Sequence, residues 1–156
     1  PFLARHCDVF YIGGTKVGAM FGEAVVFSGM KTPKYFFTNV KRHGALLAKG
    51  RMLGIQFDTL FTDNLYFKVS RHAIAMSERI RSIFCKHGIN IAYDSPTNQQ
   101  FVILSPTLYE KLSQKVAFEI WERKSETEII CRFVTSWATR EEELEELDEI
   151  LQNILS

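Results

Sequence analysis

The sequence predicts an α/β fold, and three features of the chain lead to that prediction. Short apolar runs at residues 8–12 and 23–28 are typical of strands. Apolar residues at helical spacing follow between residues 34 and 87, and an amphipathic segment closes the chain over residues 140–155. Between them, residues 88–135 alternate strand-like runs with turns. Strands and helices that alternate in this way favour an α/β architecture.

Composition and charge limit the class of protein. The chain has 156 residues, of which 46% are hydrophobic and 24% charged, and its formal net charge is +1. These values are those of an ordinary soluble globular chain. A charge so close to zero gives no electrostatic reason to expect nucleic acid or an anionic membrane as a partner. No apolar run approaches the roughly 20 residues that a membrane span needs.

The number and spacing of the cysteines indicate in which cellular compartment the protein is found. Cys7, Cys85 and Cys131 are widely spaced and have no CxxC pattern or histidine-rich companions. We therefore expect reduced thiols rather than a disulfide framework or a metal site. This usage, together with the absence of a secretory signal pattern, predicts a cytoplasmic protein.

Residues 1–33 are expected to hold two short strands separated by a glycine-rich loop. The runs at 8–12 and 23–28 flank this loop. Because each run is apolar without alternation, both strands are expected to be covered on both faces. Pro33 then marks the start of a helical stretch.

Residues 34–87 are expected to form a helical connection. Glycines interrupt the apolar pattern, and each costs ~1 kcal/mol relative to alanine inside a helix. They either permit close packing or break one helix into two. The glycines in question are Gly44, Gly50 and Gly54. A further helix is expected over residues 65–87, because Asp63-Asn64 can cap its start and basic residues followed by glycine mark its end.

Residues 88–156 are expected to form a compact α/β unit. The predicted strands cover residues 89–93, 100–104, 116–123 and 127–135, and the predicted helices cover residues 107–114 and 140–155. We expect Thr139 to be the N-cap of the last helix, with Glu142 completing a capping box three residues later.

The most informative motif covers residues 8–16. An apolar run ends at Gly13-Gly14, and Lys16 follows two residues later. Open α/β sheets bind ligands at the carboxyl ends of strands. A lysine amine there can form a Schiff base with a carbonyl cofactor, for which pyridoxal phosphate is the leading candidate. The alternative is an ordinary solvated loop lysine, whereas the glycine spacing does not match a phosphate-binding P-loop.

Arg132 is the second candidate residue. It interrupts the otherwise apolar run at residues 127–135. If Arg132 is buried, its charge needs a partner, because an unpaired charge away from water is costly. If it faces the surface, it is an ordinary strand arginine, and its pattern alone leaves both interpretations open.

Three longer stretches resemble one enzyme family. Residues 8–27, 42–57 and 132–139 closely resemble the β-eliminating lyase/threonine aldolase family and occur in the family's order. The resemblance extends over essentially the whole chain. It implies the aspartate-aminotransferase-like fold of pyridoxal-phosphate enzymes, of which this chain corresponds to roughly the carboxyl-terminal half. The start at Pro1, without a linker, likewise leads us to expect a missing amino-terminal half.

The resemblance also implies a division of the chain into three parts. Residues 1–33 would be the end of the large cofactor-binding domain, residues 34–87 the interdomain helices, and residues 88–156 the small carboxyl-terminal α/β domain. Members of the family build their sites from two subunits. A homodimer or homotetramer is therefore expected.

Four residues acquire roles through the resemblance. Lys16 matches the family's Schiff-base lysine, and Thr15 before it would touch the cofactor phosphate. Arg132 matches the arginine that binds the substrate α-carboxylate through two parallel hydrogen bonds. Among the basic residues of 41–51, Lys49 is the best candidate for a phosphate contact from the neighbouring subunit.

The resemblance implies a pyridoxal-phosphate-dependent carbon–carbon lyase. The expected reaction is that of an L-threonine aldolase, which cleaves the Cα–Cβ bond of a β-hydroxy-α-amino acid to glycine and an aldehyde. The catalytic base and the partner of the pyridine nitrogen are expected outside this chain, so this segment alone should be inactive. Alternatives are a β-eliminating lyase or an aminotransferase on the same fold, and a non-catalytic relative or fragment.

Overall fold

The computed structural model describes residues 2–29 and 31–156, which form two compact units. The first unit ends at Phe67 and the second extends from Lys68 to Ser156. The predicted boundaries near residues 33 and 87 concern the domains of a larger protein and stay predictions. Among the described residues, no helix combines the length and apolar character needed to cross a bilayer.

The first unit contains a two-stranded ribbon and short helices. Its elements are α1 (Phe2–His6), β1 (Val9–Gly13), β2 (Glu23–Phe27), α2 (Phe36–Arg42), α3 (Arg51–Phe61) and the start of α4 (Leu65–Lys86). Strands β1 and β2 pair antiparallel, from Val9 opposite Phe27 to Gly13 opposite Glu23. Both strands lie within one residue of their predicted positions.

The expectation that these two strands are covered on both faces is wrong for this structure. The side chains of Val9, Tyr11 and Val25 are exposed, and Tyr11 retains 69% of its accessible surface. A sheet face is buried only where another layer packs against it. None of the described residues covers the face that carries Tyr11.

Gly44 and Gly50 lie in the break between α2 and α3, which is one of the two predicted alternatives, whereas Gly54 lies inside α3. Helix α2 ends after Arg42, and Gly44 follows at a φ of +71°. The Gly44 N–H donates to the Lys41 carbonyl at 3.0 Å, and the Ala45 N–H donates to the Val40 carbonyl at 3.0 Å. This pair of bonds is a Schellman motif, which satisfies the last carbonyls of a helix and requires a left-handed residue.

The second unit is a four-stranded antiparallel sheet with helices on one face. Its strands pair in the order β3-β4-β6-β5. The elements are β3 (Ile91–Tyr93), β4 (Gln99–Leu104), α5 (Pro106–Ser113), β5 (Glu119–Arg123), β6 (Ile129–Val134) and α6 (Glu141–Leu155). All four predicted strands and both predicted helices are present, although β5 begins three residues later than expected.

The core of this unit lies between one sheet face and helices α4, α5 and α6. Side chains from alternate positions of β4 and β6 enter it, because successive residues of a strand point to opposite faces. The innermost members are Phe84, Val102, Leu104, Leu112, Cys131 and Leu151. The opposite face of β4 and β6 therefore carries the remaining positions, which include Arg132.

The predicted cap of α6 is wrong by one residue. Arg140 is the N-cap, and its backbone N–H donates to the Glu143 carboxylate at 3.0 Å. The Thr139 hydroxyl instead accepts the Ser136 N–H at 3.0 Å in the preceding turn. A threonine hydroxyl can accept a hydrogen bond either from the first turn of a helix or from a turn that precedes it, and here it accepts one from the turn before α6.

Candidate functional site

Lys16 lies on a single tight turn immediately after β1. Residues Thr15–Val17 form one turn of 3₁₀-helix, in which the Val17 N–H donates to the Gly14 carbonyl at 3.1 Å. Gly18 then reverses the chain at a φ of +100°. Val17 is buried, whereas Thr15 and Lys16 are exposed. The turn therefore anchors itself through Val17 and presents the predicted Schiff-base amine outward.

Close packing against α3 fixes this turn. A Cβ atom added at Gly14 would come within 2.7 Å of the Ala19 Cβ and 2.9 Å of the Phe57 Cζ. One added at Gly22, which has a φ of +90°, would meet the Leu53 side chain. The glycines thus allow the Lys16 loop to lie directly on α3, a contact that larger residues would prevent.

Two hydrogen bonds to the backbone hold both ends of the loop. The Gln56 side-chain oxygen accepts the Met20 N–H at 2.6 Å, and the Tyr66 hydroxyl donates to the Gly13 carbonyl at 3.1 Å. Partial burial raises the pKa of Tyr66, so its hydroxyl keeps the proton that this bond requires. Helices α3 and α4 therefore position the segment from which Lys16 projects.

The Lys16 amine has no ion-pair partner among the residues that the structure describes. It is an exposed amine on an anchored backbone, next to the exposed Thr15 hydroxyl. No carboxylate in the described residues competes for it, which suits an amine that has to react with a carbonyl carbon.

Lys49 lies in the turn before α3, where its carbonyl accepts the Met52 N–H at 2.9 Å. Its side chain is exposed, as are those of Lys41, Arg42 and Arg51. Within residues 2–29 and 31–156, no hydrogen bond links Lys49 to Thr15 or Lys16. The choice of Lys49 among these basic residues stays a prediction.

Arg132 lies on the sheet face of the second unit that points away from the helical core. It is opposite Phe101 of β4 and opposite Glu119 of β5. Its side chain retains 26% of its accessible surface. The residue is thus a half-buried arginine in the middle of the sheet, and its role as a carboxylate-binding residue stays a prediction.

Neighbouring strands supply the partners that a half-buried charge requires. The Arg132 Nη1 donates to the Gln99 side-chain oxygen at 3.1 Å, and Nη2 forms an ion pair with Glu119. The guanidinium carbon lies 5.2 Å from the centre of the Trp121 ring, within the range of a cation–π interaction. The Nε atom is buried and has no hydrogen-bond partner among the described residues.

An aromatic row extends across this face beside Arg132. It consists of Tyr93, Phe101 and Trp121, whose ring centroids are 5.5 Å apart for the first pair and 5.2 Å for the second. Both pairs are edge-to-face, which is one of the arrangements that aromatic rings prefer. The Tyr93 hydroxyl donates to the Glu122 carboxylate at 3.2 Å. Desolvation and then this hydrogen bond raise the pKa of Tyr93.

The partners of Arg132 are neighbours of the candidate site that sequence reasoning missed. Glu119 lies 13 positions from Arg132 in the chain, and Gln99 lies 33 positions away. Only the register of three strands brings them together. A signal did exist for Glu119, because a charged residue within a predicted strand can pair with an arginine on the neighbouring strand.

Other reactive groups do not form a second centre in the described part of the chain. No group of three or more His, Cys, Asp or Glu side chains there is arranged to hold a metal ion. Burial raises the pKa of Cys131 to about 11, so its thiol is protonated at neutral pH. His72 lies against the Thr139 carbonyl, with Nε2 2.7 Å from the oxygen.

Comparisons of the sequence with known proteins gave two matches of the same kind and no match to a family profile. A low-specificity L-threonine aldolase from Pseudomonas sp. is 27% identical over 150 residues, which are 96% of this chain and 42% of that protein. The low-specificity L-threonine aldolase of Pseudomonas aeruginosa is 26% identical over 141 residues, or 90% of this chain and 40% of that protein.

A solved structure gives the same result. The threonine aldolase of Leishmania major superimposes with a TM-score of 0.92 and 37% identity, over 99% of this chain and 45% of that one. The fold is therefore that of the carboxyl-terminal portion of aspartate-aminotransferase-like enzymes, as predicted. The resemblance recognised in the sequence is confirmed, and the chain is a relative of the threonine aldolases. It spans less than half the length of the relatives that it matches.

Proposed function

We propose that the protein to which this chain belongs is a lyase that uses pyridoxal phosphate to cleave β-hydroxy-α-amino acids. The products would be glycine and an aldehyde, as expected for an L-threonine aldolase. The observation that carries the proposal is the Lys16 turn, in which an exposed amine follows β1 on a backbone fixed against α3 and has no ion-pair partner within residues 2–29 and 31–156. The related chains are named as threonine aldolases, which supports the same reaction.

The residues of this turn fit the cofactor chemically. The aldehyde needs a nucleophilic amine, and the exposed Lys16 has no carboxylate partner in the described residues that would hold it. The phosphate needs donors and cations, which the Thr15 hydroxyl and the exposed basic residues near Lys49 can supply. When bound, the cofactor supplies an electron-withdrawing ring that stabilises the charge left at Cα.

Arg132 would hold the α-carboxylate of the substrate. Its guanidinium can donate two parallel hydrogen bonds to a carboxylate, which fixes orientation as well as position. Orientation decides the reaction, because the bond that breaks must lie perpendicular to the cofactor ring. The contacts with Gln99 and Trp121 restrict the guanidinium, so the arginine is held in place before substrate arrives.

The proposal includes a homo-oligomer. The first unit exposes large apolar side chains, including Tyr11, Val25, Phe37, Ile55 and Phe67. Exposed apolar area of this kind favours burial against another surface. Sedimentation velocity of the intact protein would test this point, and a monomer at micromolar concentration would contradict it. A cytoplasmic location stays a prediction.

Borohydride reduction of the intact protein with pyridoxal phosphate, followed by peptide mapping, tests the cofactor assignment. We expect a pyridoxyl adduct at Lys16 that is absent from the Lys16→Ala variant. Lys111, an exposed lysine of α5, provides the control, since Lys111→Ala should keep the adduct. Reduced protein that carries no adduct at Lys16 would contradict the proposal.

Product analysis tests the reaction itself. With threonine as substrate, we expect equal amounts of glycine and acetaldehyde. A keto acid with ammonia would instead assign β-elimination, and a keto acid with a new amino acid would assign transamination. These results separate the reactions that the same fold supports.

A further inference from the structure

The carboxylate of Glu119 occupies Arg132 in this structure. The two residues are directly opposite each other on β5 and β6. The ion pair joins the Glu119 carboxylate to Nη2 of the guanidinium. Arg132 therefore already holds a carboxylate at the position where the proposed function requires it to bind another.

The remaining contacts of the guanidinium show where a ligand would have to bind. An arginine has five N–H donors, and a carboxylate binds best to two that point the same way. The Nη1 atom is used by Gln99, and Nε has no partner among the described residues. A carboxylate that bonded to both Nε and Nη2 would satisfy the buried Nε, but it would share Nη2 with the Glu119 carboxylate, and two negative charges so close together repel each other.

Glu119 and Arg132 differ in how firmly they are held. The Glu119 side chain retains 66% of its accessible surface, against 26% for Arg132. Arg132 also contacts Gln99 and Trp121. When the ion pair opens, Glu119 can return to water at little cost, whereas the guanidinium stays in place. A shallow cavity of about 280 Å³ adjoins the pair and is lined by Ala117, Phe118, Glu119, Arg132 and Val134.

We propose that Glu119 is an internal competitor for the carboxylate site of Arg132. The inference rests on the proposed function for the identity of the ligand, an amino acid with a free α-carboxylate. Each ligand must displace Glu119 before it binds. Glu119 therefore weakens the binding of every such ligand, and it keeps the half-buried arginine paired between turnovers.

The test is Glu119→Gln in the intact protein, because glutamine keeps the shape and removes the charge. Exposed ion pairs are weak, so we expect the KM for threonine to fall about twofold to fivefold with kcat unchanged. The Kd for glycine, measured by titration calorimetry, should fall by the same factor. Glu122→Gln is the matched control, because it removes the same charge three residues along β5 and does not contact Arg132.

The outcomes separate this inference from the proposed function. If glycine binds more tightly to Glu119→Gln but threonine is not cleaved by the unaltered protein, Glu119 competes and the proposed reaction fails. If threonine is cleaved and neither constant changes, the competition is refuted. A rise in KM would also overturn it, because Glu119 would then support Arg132 rather than compete. Failure of the unaltered protein both to bind glycine and to cleave threonine would overturn both.

Discussion

The Lys16 turn and the surroundings of Arg132 hold their candidate functional side chains in opposite ways. At Lys16 the backbone is fixed, through Gly14, Gly22 and the packing on α3, and the side chain is left without a partner in the described residues. At Arg132 the side chain itself is held by Gln99 and Trp121, and it is paired with Glu119. An amine that must form a bond needs a free nitrogen, whereas a guanidinium that must orient a carboxylate needs a fixed plane.

The largest expected effect comes from changing how Arg132 presents its donors. Arg132→Lys keeps the charge but removes the planar fork, so only a point charge remains for the substrate carboxylate. We expect the KM for threonine to rise about tenfold to a hundredfold, the range for losing a hydrogen bond between charged groups. Steady-state kinetics measures this, with Arg123→Lys on the exposed strand β5 as the control. Equal KM values for the two variants would show that Arg132 does not hold the carboxylate.

A substitution at Gly14 tests whether the backbone of the Lys16 turn has to be fixed. Gly14→Ala would place a Cβ atom 2.7 Å from the Ala19 Cβ and 2.9 Å from the Phe57 Cζ, so the turn must move off α3. Overpacking of this kind costs about 1–3 kcal/mol. We expect faster hydrogen exchange in residues 13–20 and less pyridoxyl labelling of Lys16.

The neighbouring glycine provides the control for this experiment. A Cβ atom added at Gly13 meets nothing within 4 Å. Gly13→Ala should therefore leave both the exchange rates and the labelling close to their original values. If the two alanine variants behave alike, the packing of Gly14 on α3 does not control the Lys16 turn.

A smaller effect is expected from removing the ring that Arg132 faces. Trp121→Leu keeps an apolar side chain but abolishes the cation–π contact, which is worth about 0.5–1 kcal/mol at an exposed site. The KM for threonine should rise about twofold to fivefold. Trp137→Leu serves as the control, because Trp137 is equally exposed and does not contact Arg132. An unchanged KM in Trp121→Leu would mean that the Trp121 ring does not help to fix the guanidinium.

Lowering the pH should destabilise the second unit more than the first, because every ion pair among the described residues lies in the second unit. Hydrogen bonds from Lys86 and then His87 lower the pKa of Asp148 from its usual 3.8, and they join the end of α4 to α6. Because this pKa is lower in the folded state than in the unfolded chain, the ionised carboxylate stabilises the folded state at a pH above 3.8. That stabilisation is lost as the pH falls through the lowered pKa.

Hydrogen exchange of α4 and α6 as a function of pH measures this contribution. We expect Asp148→Asn to accelerate exchange at pH 6, and the difference from the unaltered protein to disappear as the pH falls below 3.8. Glu149→Gln is the control, because Glu149 is exposed and has no ion pair in the described residues. A difference that persists at low pH would assign the effect to packing rather than to charge.

Local features of the fold were predictable from sequence because their hydrogen bonds close within a few residues. The Schellman motif at Gly44 needs only a glycine after a helix, and the bonds from Gly88 to Cys85 and from Ile89 to Phe84 end α4 in the same way. The turn that presents Lys16 could be predicted for the same reason. The N-cap of α6 was predicted one residue too early. The sequence pattern allowed the Thr139 hydroxyl to cap the helix or to bond within the preceding turn, and the structure has the second arrangement.

The sequence by itself determined the order of strands and helices, the break at Gly44 and the position of Lys16 at the end of β1. The tertiary structure alone decided that β1 and β2 have an exposed face and that Arg132 lies between Gln99 and Glu119. The physical reason is the range of the interactions. Turns and caps depend on neighbours in the chain. Pairing across strands depends on the register between distant segments, and a shift of one residue would move every side chain of a strand to the opposite face.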